Sequence, residues 1–175
     1  SLINTIVCLS TLSITRTYGY RTGLIIAMSY QHSDGANHFY TIDVAAPCWQ
    51  LTQSIHTRSF TAQSTLDIVT SILEDYDFEW RVSDALLAAE PAEAALGLLT
   101  PLPLRTQADV SDYDFVTALL ADIGISTLWV SGESVEASGY WLLVASLDEC
   151  ELTPVEYSYT QSIQSGQDTI DELQL

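Results

Sequence analysis

Three histidines, three cysteines and an excess of carboxylates are the side chains able to do chemistry in this chain. His32, His38 and His56 lack the HxH or HExxH spacing that would gather a metal. Cys8, Cys48 and Cys150 stand far apart with no CxxC pair, so the expectation is buried free thiols in a reducing compartment. Cys48 and His56 can be drawn as a nucleophile and its base. Cys48 lies between Pro47 and Trp49, however, where packing is the ordinary role of a thiol. Carboxylates pair in sequence as Glu74 with Asp75, Asp112 with Asp114, and Asp148 with Glu149. Glycoside hydrolysis needs two of them fixed about 5–10 Å apart across a cleft, which adjacency does not supply. Asp112 and Asp114 are placed instead as acids at a helix N-terminus, stabilising there without catalysis. There is no glycine-rich phosphate loop and no GxSxG elbow. The sequence therefore nominates no catalytic, cofactor-binding or metal-binding residue, and no cofactor.

Charge narrows the partners. The chain has 175 residues, 23 acids against 5 basic residues (all of them arginine), and a net charge of −18. Phosphate binding needs clustered Arg and Lys, so DNA and RNA are excluded as partners, and an anionic membrane surface with them. Solubility and self-repulsion are the ordinary consequence of such charge, and attraction to a basic protein surface is the other. Hydrophobic residues make up 47% of the chain, enough for one real core or two small ones, and too much for disorder. No run reaches the roughly 18 apolar residues of a membrane span. Ser1–Ile14 lacks a basic flank, so it is expected to be a strand and not a signal peptide.

The elements follow from periodicity. Gly19–Tyr30 and His38–Val44 are expected to form a hairpin with Asp34-Gly35 at its tip. After Phe39, the alternation of Tyr40, Ile42 and Val44 with Thr41 and Asp43 between them predicts a half-buried strand. Ser64 caps a first helix with Asp67 three residues on, and Leu66, Val69, Leu73 and Tyr76 form its stripe, widened by Ile68 and Ile72. Phe78–Val82 is expected to be a strand, and Ser83–Leu99 helical with a break at Pro91. Thr100–Pro103 is expected to be an extended connector. Ser111 caps a second helix with the stripe Tyr113, Val116, Leu120 and Ile123, closed by Gly124. Ile125–Val130 and Gly139–Ser146 make a second hairpin with Trp129 and Trp141 on opposite arms. Val155–Tyr159 predicts a further strand and Asp168–Leu175 a terminal helix. The class is α+β.

The two helices echo each other 47 residues apart, as from Ser64 to Ser111. Asp67, Val69, Thr70, Leu73 and Asp75 match Asp114, Val116, Thr117, Leu120 and Asp122. Any two capped amphipathic helices share part of this pattern; the alternative is two equivalent units in one fold.

One ordered run is more specific. It comprises Tyr40-Thr-Ile-Asp-Val, Pro47-Cys-Trp-Gln-Leu, Arg58-Ser-Phe, Ser64-Thr-Leu-Asp-Ile-Val and Leu73-Glu-Asp-Tyr. Arg105 to Ile125, with Gln107, Ser111-Asp-Tyr-Asp-Phe, Leu119-Leu and Gly124-Ile, continues it, as does Trp141 to Asp148. This run resembles the VgrG spike proteins of type VI secretion and the related late-control and hub proteins of contractile phage tails, over about Tyr18–Tyr159. Ala118 stands where the family usually has Arg, and Val110 where it has Glu. The resemblance implies β-barrel-like hub modules of mixed antiparallel strands with two amphipathic helices. On that reading 1–60 ends a first barrel, 61–130 holds helix–strand units, and 131–175 holds second-barrel strands and the start of the next segment. It further implies a non-catalytic structural part of a spike or tail hub. Its partners would be two further copies in a homotrimer, a hexameric tail-tube protein, baseplate proteins, and an effector or adaptor. It would assemble in the bacterial cytoplasm and leave with the spike or tail. With no needle repeat after it, the chain is expected to be an excised hub fragment or a shortened relative. An acidic protein-binding module and a carboxylate-based hydrolase are the readings set against it.

Overall fold

A computed structural model describes residues 3–12, 18–88, 97–132, 134 and 137–146. Along the chain these form β1 (Ile6–Leu12), β2 (Tyr18–Ser33), β3 (His38–Ala45), a 3-10 turn (Pro47–Gln53), β4 (Ile55–Gln63), α1 (Thr65–Leu73), β5 (Glu79–Val82), α2 (Asp84–Ala88), β6 (Leu102–Ser111), α3 (Asp112–Ala121), β7 (Ser126–Val130) and β8 (Tyr140–Val144). The strands make three sheets: β1-β2-β3, β4-β6, and β5-β8-β7. The α+β class stands. The sheets hold two or three strands each, far fewer than the roughly eight of a small closed barrel, and none closes among the described residues. The expected break at Pro91, the strand at Val155–Tyr159 and the helix at Asp168–Leu175 lie outside those residues.

Both helices start as their caps dictate. The Ser64 hydroxyl accepts from the Asp67 amide at 3.1 Å, and the Asp67 carboxylate accepts from the Ser64 amide at 3.0 Å. Two of the helix's orphan donors are thus paired reciprocally. Ser111 accepts from the Asp114 amide in the same way at 3.0 Å. The buried face of α1 is Thr65, Ile68, Val69, Ile72 and Leu73. On α3 it is Asp112, Phe115, Val116, Leu119 and Leu120. Leu66, Tyr76, Tyr113 and Ile123, expected within the stripes, are only half-buried at their edges. Gly124 takes φ +75°, so the Ile125 amide turns back to the Leu120 carbonyl at 2.9 Å and closes α3. The buried faces meet Cys48, Leu51, Leu86, Leu98, Trp141 and Leu143 in one core.

Two long strands were not anticipated. β4 and β6 pair antiparallel, Arg58 opposite Gln107 and Phe60 opposite Arg105. Their inward positions include Arg58, Arg105 and Gln107, and their outward positions are mostly Thr, Ser, Ala and Leu. No apolar alternation marks such strands. The expected connector at Thr100–Pro103 instead runs into β6 at Leu102.

These strands extend the 47-residue echo. β4–α1–β5 spans Ile55–Val82 and β6–α3–β7 spans Leu102–Val130, each element starting 47 residues after its counterpart. The pairing respects the duplication. Thr57 lies opposite Ala108, and its equivalent Leu104 lies opposite Thr61; Ser59 and its own equivalent Thr106 lie opposite each other. In the third sheet, Arg81 and its equivalent Leu128 both pair with Leu142 of the central strand β8. Ala62 and Asp109, also equivalent, both adopt φ +54°, in the left-handed region that non-glycine residues rarely enter. A local two-fold relation between two β–α–β units accounts for all of these pairs.

The first sheet is built differently. Its hairpin turns at Asp34-Gly35 as expected, with Asp34 accepting from the Ala36 and Asn37 amides at the tip (3.0 and 2.7 Å). The predicted half-burial of β3 does not hold: seven of its eight residues are exposed and only Ala45 is half-buried. Its alternation belongs to a strand that nothing among the described residues covers.

Candidate functional site

Two places collect unusual side chains: a carboxylate sealed inside the body, and an apolar sheet left open outside it.

The carboxylate is Asp112, the first residue of α3, with 1% of its side chain exposed. The cap at Ser111 and the turn out of β6 drive it inward, where four side chains meet it. Arg58 Nη2 donates to Oδ1 at 2.7 Å, Gln107 Nε2 to Oδ1 at 2.7 Å, His56 Nδ1 to Oδ1 at 3.1 Å, and Tyr76 Oη to Oδ2 at 2.7 Å. Arg58 Nε also donates to Gln107 Oε1 at 2.8 Å, fixing that amide's orientation. Burial opposes ionisation of Asp112. The bonds from Gln107, Tyr76 and His56 and the Arg58 charge outweigh it, holding the carboxyl below its ordinary value. Burial foremost pushes the Tyr76 phenol up, as does its bond to Asp112. The node ties β4, β6, α3 and the segment after α1 together. All of Asp112's bonds point inward to the fold, which is the arrangement of a structural anchor.

The other sequence candidates do not converge on it. Cys48 sits in the apolar core, where burial pushes its thiol up and away from the nucleophilic thiolate. His56 Nδ1 is held by Asp112, not by Cys48. Asp112 and Asp114 diverge, one buried and the other exposed on its cap. Glu74 and Asp75 are exposed beyond the end of α1. Asp148, Glu149 and Cys150 lie outside the described residues. His32 and His38 sit at the far end of the hairpin, His32 stacked on Phe39 at 4.4 Å and His38 beside Tyr30. Among the described residues no three His, Cys, Asp or Glu side chains gather as a metal site. No helix there is long and apolar enough to cross a membrane.

The open sheet is the second place. Tyr30 packs edge-on against Tyr40, its cross-strand partner, with ring centroids 5.6 Å apart. Met28, Phe39, Ile42 and Val44 are exposed beside them, Val44 by 51% and Phe39 by 42%. Ile6 and Leu9 are likewise exposed on β1. Asp34 and Asp43 are the only formal charges between Ile26 and Val44, in a chain of net charge −18. Tyr40, Ile42 and Val44 alternate onto one face of β3 and Phe39 onto the other, and exposed apolar residues grouped in this way are typical of interaction surfaces.

Known proteins resemble this arrangement. The E. coli c3393 protein, a type VI secretion system component with structural similarity to the T4 bacteriophage tail proteins gp27 and gp5, superposes with a TM-score of 0.61 at 17% sequence identity. The match covers 81% of this chain and 36% of that protein, so the chain spans about a third of its length. No curated protein sequence matches. The family model of the phage tail baseplate hub matches residues 2–174. The chain belongs to the phage tail baseplate hub family.

Proposed function

We propose that this chain is a non-catalytic structural module of a contractile injection apparatus, acting through protein packing in a trimeric hub on a tail tube and baseplate. The observation that carries this reading is the open hairpin, whose Tyr30, Tyr40, Phe39, Ile42 and Val44 have no cover among the described residues. A hub subunit covers such a sheet with its neighbours, since a bare apolar edge invites uncontrolled pairing. The family supports the same role. Hydrolysis is disfavoured because the deepest carboxylate spends its acceptor positions on its own fold.

Identical subunits of charge −18 repel at long range, and salt screens that repulsion beyond about 8–10 Å near 0.15 M. Association should therefore strengthen with salt. The test is sedimentation of the natural chain with its flanking sequence at two salt concentrations, with and without a tail-tube protein. Salt-promoted trimers that Tyr40→Asp dissolves are expected. A monomer at both salts that binds no tube protein refutes the reading.

A further inference from the structure

Where the first sheet meets the body, two cavities open side by side, of about 250 and about 610 Å3. Ile6, Tyr76 and Asp77 wall both, so they form one groove. Its apolar lining includes Trp49, Phe78 and Trp129, and its acids are Asp75, Asp77 and Glu79. Glu79 is paired with Arg81; Asp75 and Asp77 have no ion partner among the described residues. No basic side chain lines the groove.

Acids alone define no site, but the smaller cavity holds more. Thr22, more than nine-tenths buried, and Trp129 both line it. Thr22 Oγ1 and Trp129 Nε1 are buried without a hydrogen-bond partner among the described residues. Native folds rarely leave such groups unpaired. An indole N–H only donates, so the missing partner of Trp129 is an acceptor. Gly139 keeps the hollow open: a Cβ there would come within 2.5 Å of Thr22 Oγ1 and 2.6 Å of the Trp129 ring.

We propose that this groove binds a short extended cationic segment of a partner protein. A backbone carbonyl of the segment accepts from Trp129 Nε1, a backbone amide of the segment donates to Thr22 Oγ1, and its Arg or Lys side chains reach Asp75 and Asp77. The surface is distinct from the open hairpin. The chain itself is a poor source of the segment, with 5 basic residues in all and none from 147 to 175. The occupant's charge is opposite to that of the groove, and a second copy is as acidic as the first.

The test uses the full chain and a blocked octapeptide of alternating arginine and valine, titrated by calorimetry at 0.15 M salt. One-to-one binding is expected, and none to the glutamate–valine counterpart. Trp129→Phe and Thr22→Val leave the net charge unchanged, so general attraction to an acidic protein persists. Each should weaken binding roughly three- to tenfold, the worth of one hydrogen bond. Thr22→Val, which keeps the side chain's shape, should not lower the melting temperature, because it removes a hydroxyl the fold leaves unpaired. Trp129→Phe also removes part of a packed ring, so its melting temperature falls for that reason alone. Asp77→Asn should weaken binding and flatten its salt dependence. Equal affinity in Trp129→Phe and Thr22→Val overturns the proposal, as does equal binding of the glutamate peptide. So does a peptide-independent dimer abolished by Thr22→Val, which would seat a second copy in the groove. A fall in melting temperature in Thr22→Val would show that hydroxyl to be paired within the fold, and overturns it as well.

Discussion

Thr65 and Asp112 occupy the same place in two copies of one β–α–β unit, each the first residue of its helix and each buried, and only the second carries a charge. The arginines 47 residues apart, Arg58 and Arg105, diverge with them. Arg58 is drawn into the body by Asp112 at 2.7 Å, whereas Arg105 meets Asp122 at 3.4 Å on the surface. The apolar faces of the two units remain equivalent, and both capping serines accept from the amide three residues on, though only Ser64 has its own amide bonded back to that acid. Packing therefore sets the shared frame, and one polar position decides which unit anchors the interior.

The largest break in that comparison should come from Asp112→Ala. It strands the Arg58 guanidinium and the Gln107 amide, and should cost about 3–5 kcal/mol in chemical denaturation, as for other broken buried pairs. Arg105→Ala should stay within about 1 kcal/mol, because its pair is solvated. The sign of the pH dependence follows from the depressed Asp112 pKa. Its contribution is fully present above the unfolded value of 3.8 and is lost as pH falls through the lower folded value. Asp112→Asn should remove that part of the acid slope.

Next in size are Leu73→Ala and Leu120→Ala, equivalent positions buried in one core. Each should cost about 2–5 kcal/mol. Similar losses would confirm equivalent packing, and a loss at one site alone would break the two-fold reading. Smallest are the caps: Ser64→Ala and Ser111→Ala should each cost about 0.5–2 kcal/mol by thermal melting.

The helices were legible because their signals are local. A capping serine, an acid three residues on and apolar residues at helical spacing all lie within one short window. The β4–β6 ribbon was not, since Arg58 and Gln107 face inward where strand alternation would place Val or Ile. The Asp112 node was hidden for the same reason. An acid at a helix start is common, and its acceptor role depends on Tyr76, 36 residues away, and on Arg58, 54 away. The alternation in β3 was read correctly as strand and wrongly as half-burial, because periodicity reports that a face is apolar and not which molecule covers it. The sequence echo between the helices pointed to the duplication, and the strand register carried it beyond the helices.

Among the described residues β8 has no counterpart in either unit, yet β5 and β7 touch no common strand except this one. β7 can zip onto it as a near neighbour in sequence, but β5 must wait about 60 residues, from Trp80 to Trp141. Closing so long a loop before any contact rewards it is slow. During synthesis, β4, α1 and β5 emerge well before the strand that seats β5. The third sheet is then the last of the three to have all its strands synthesised, and a ribosome stalled before Tyr140 would hold two nearly complete units without the strand that pairs with both.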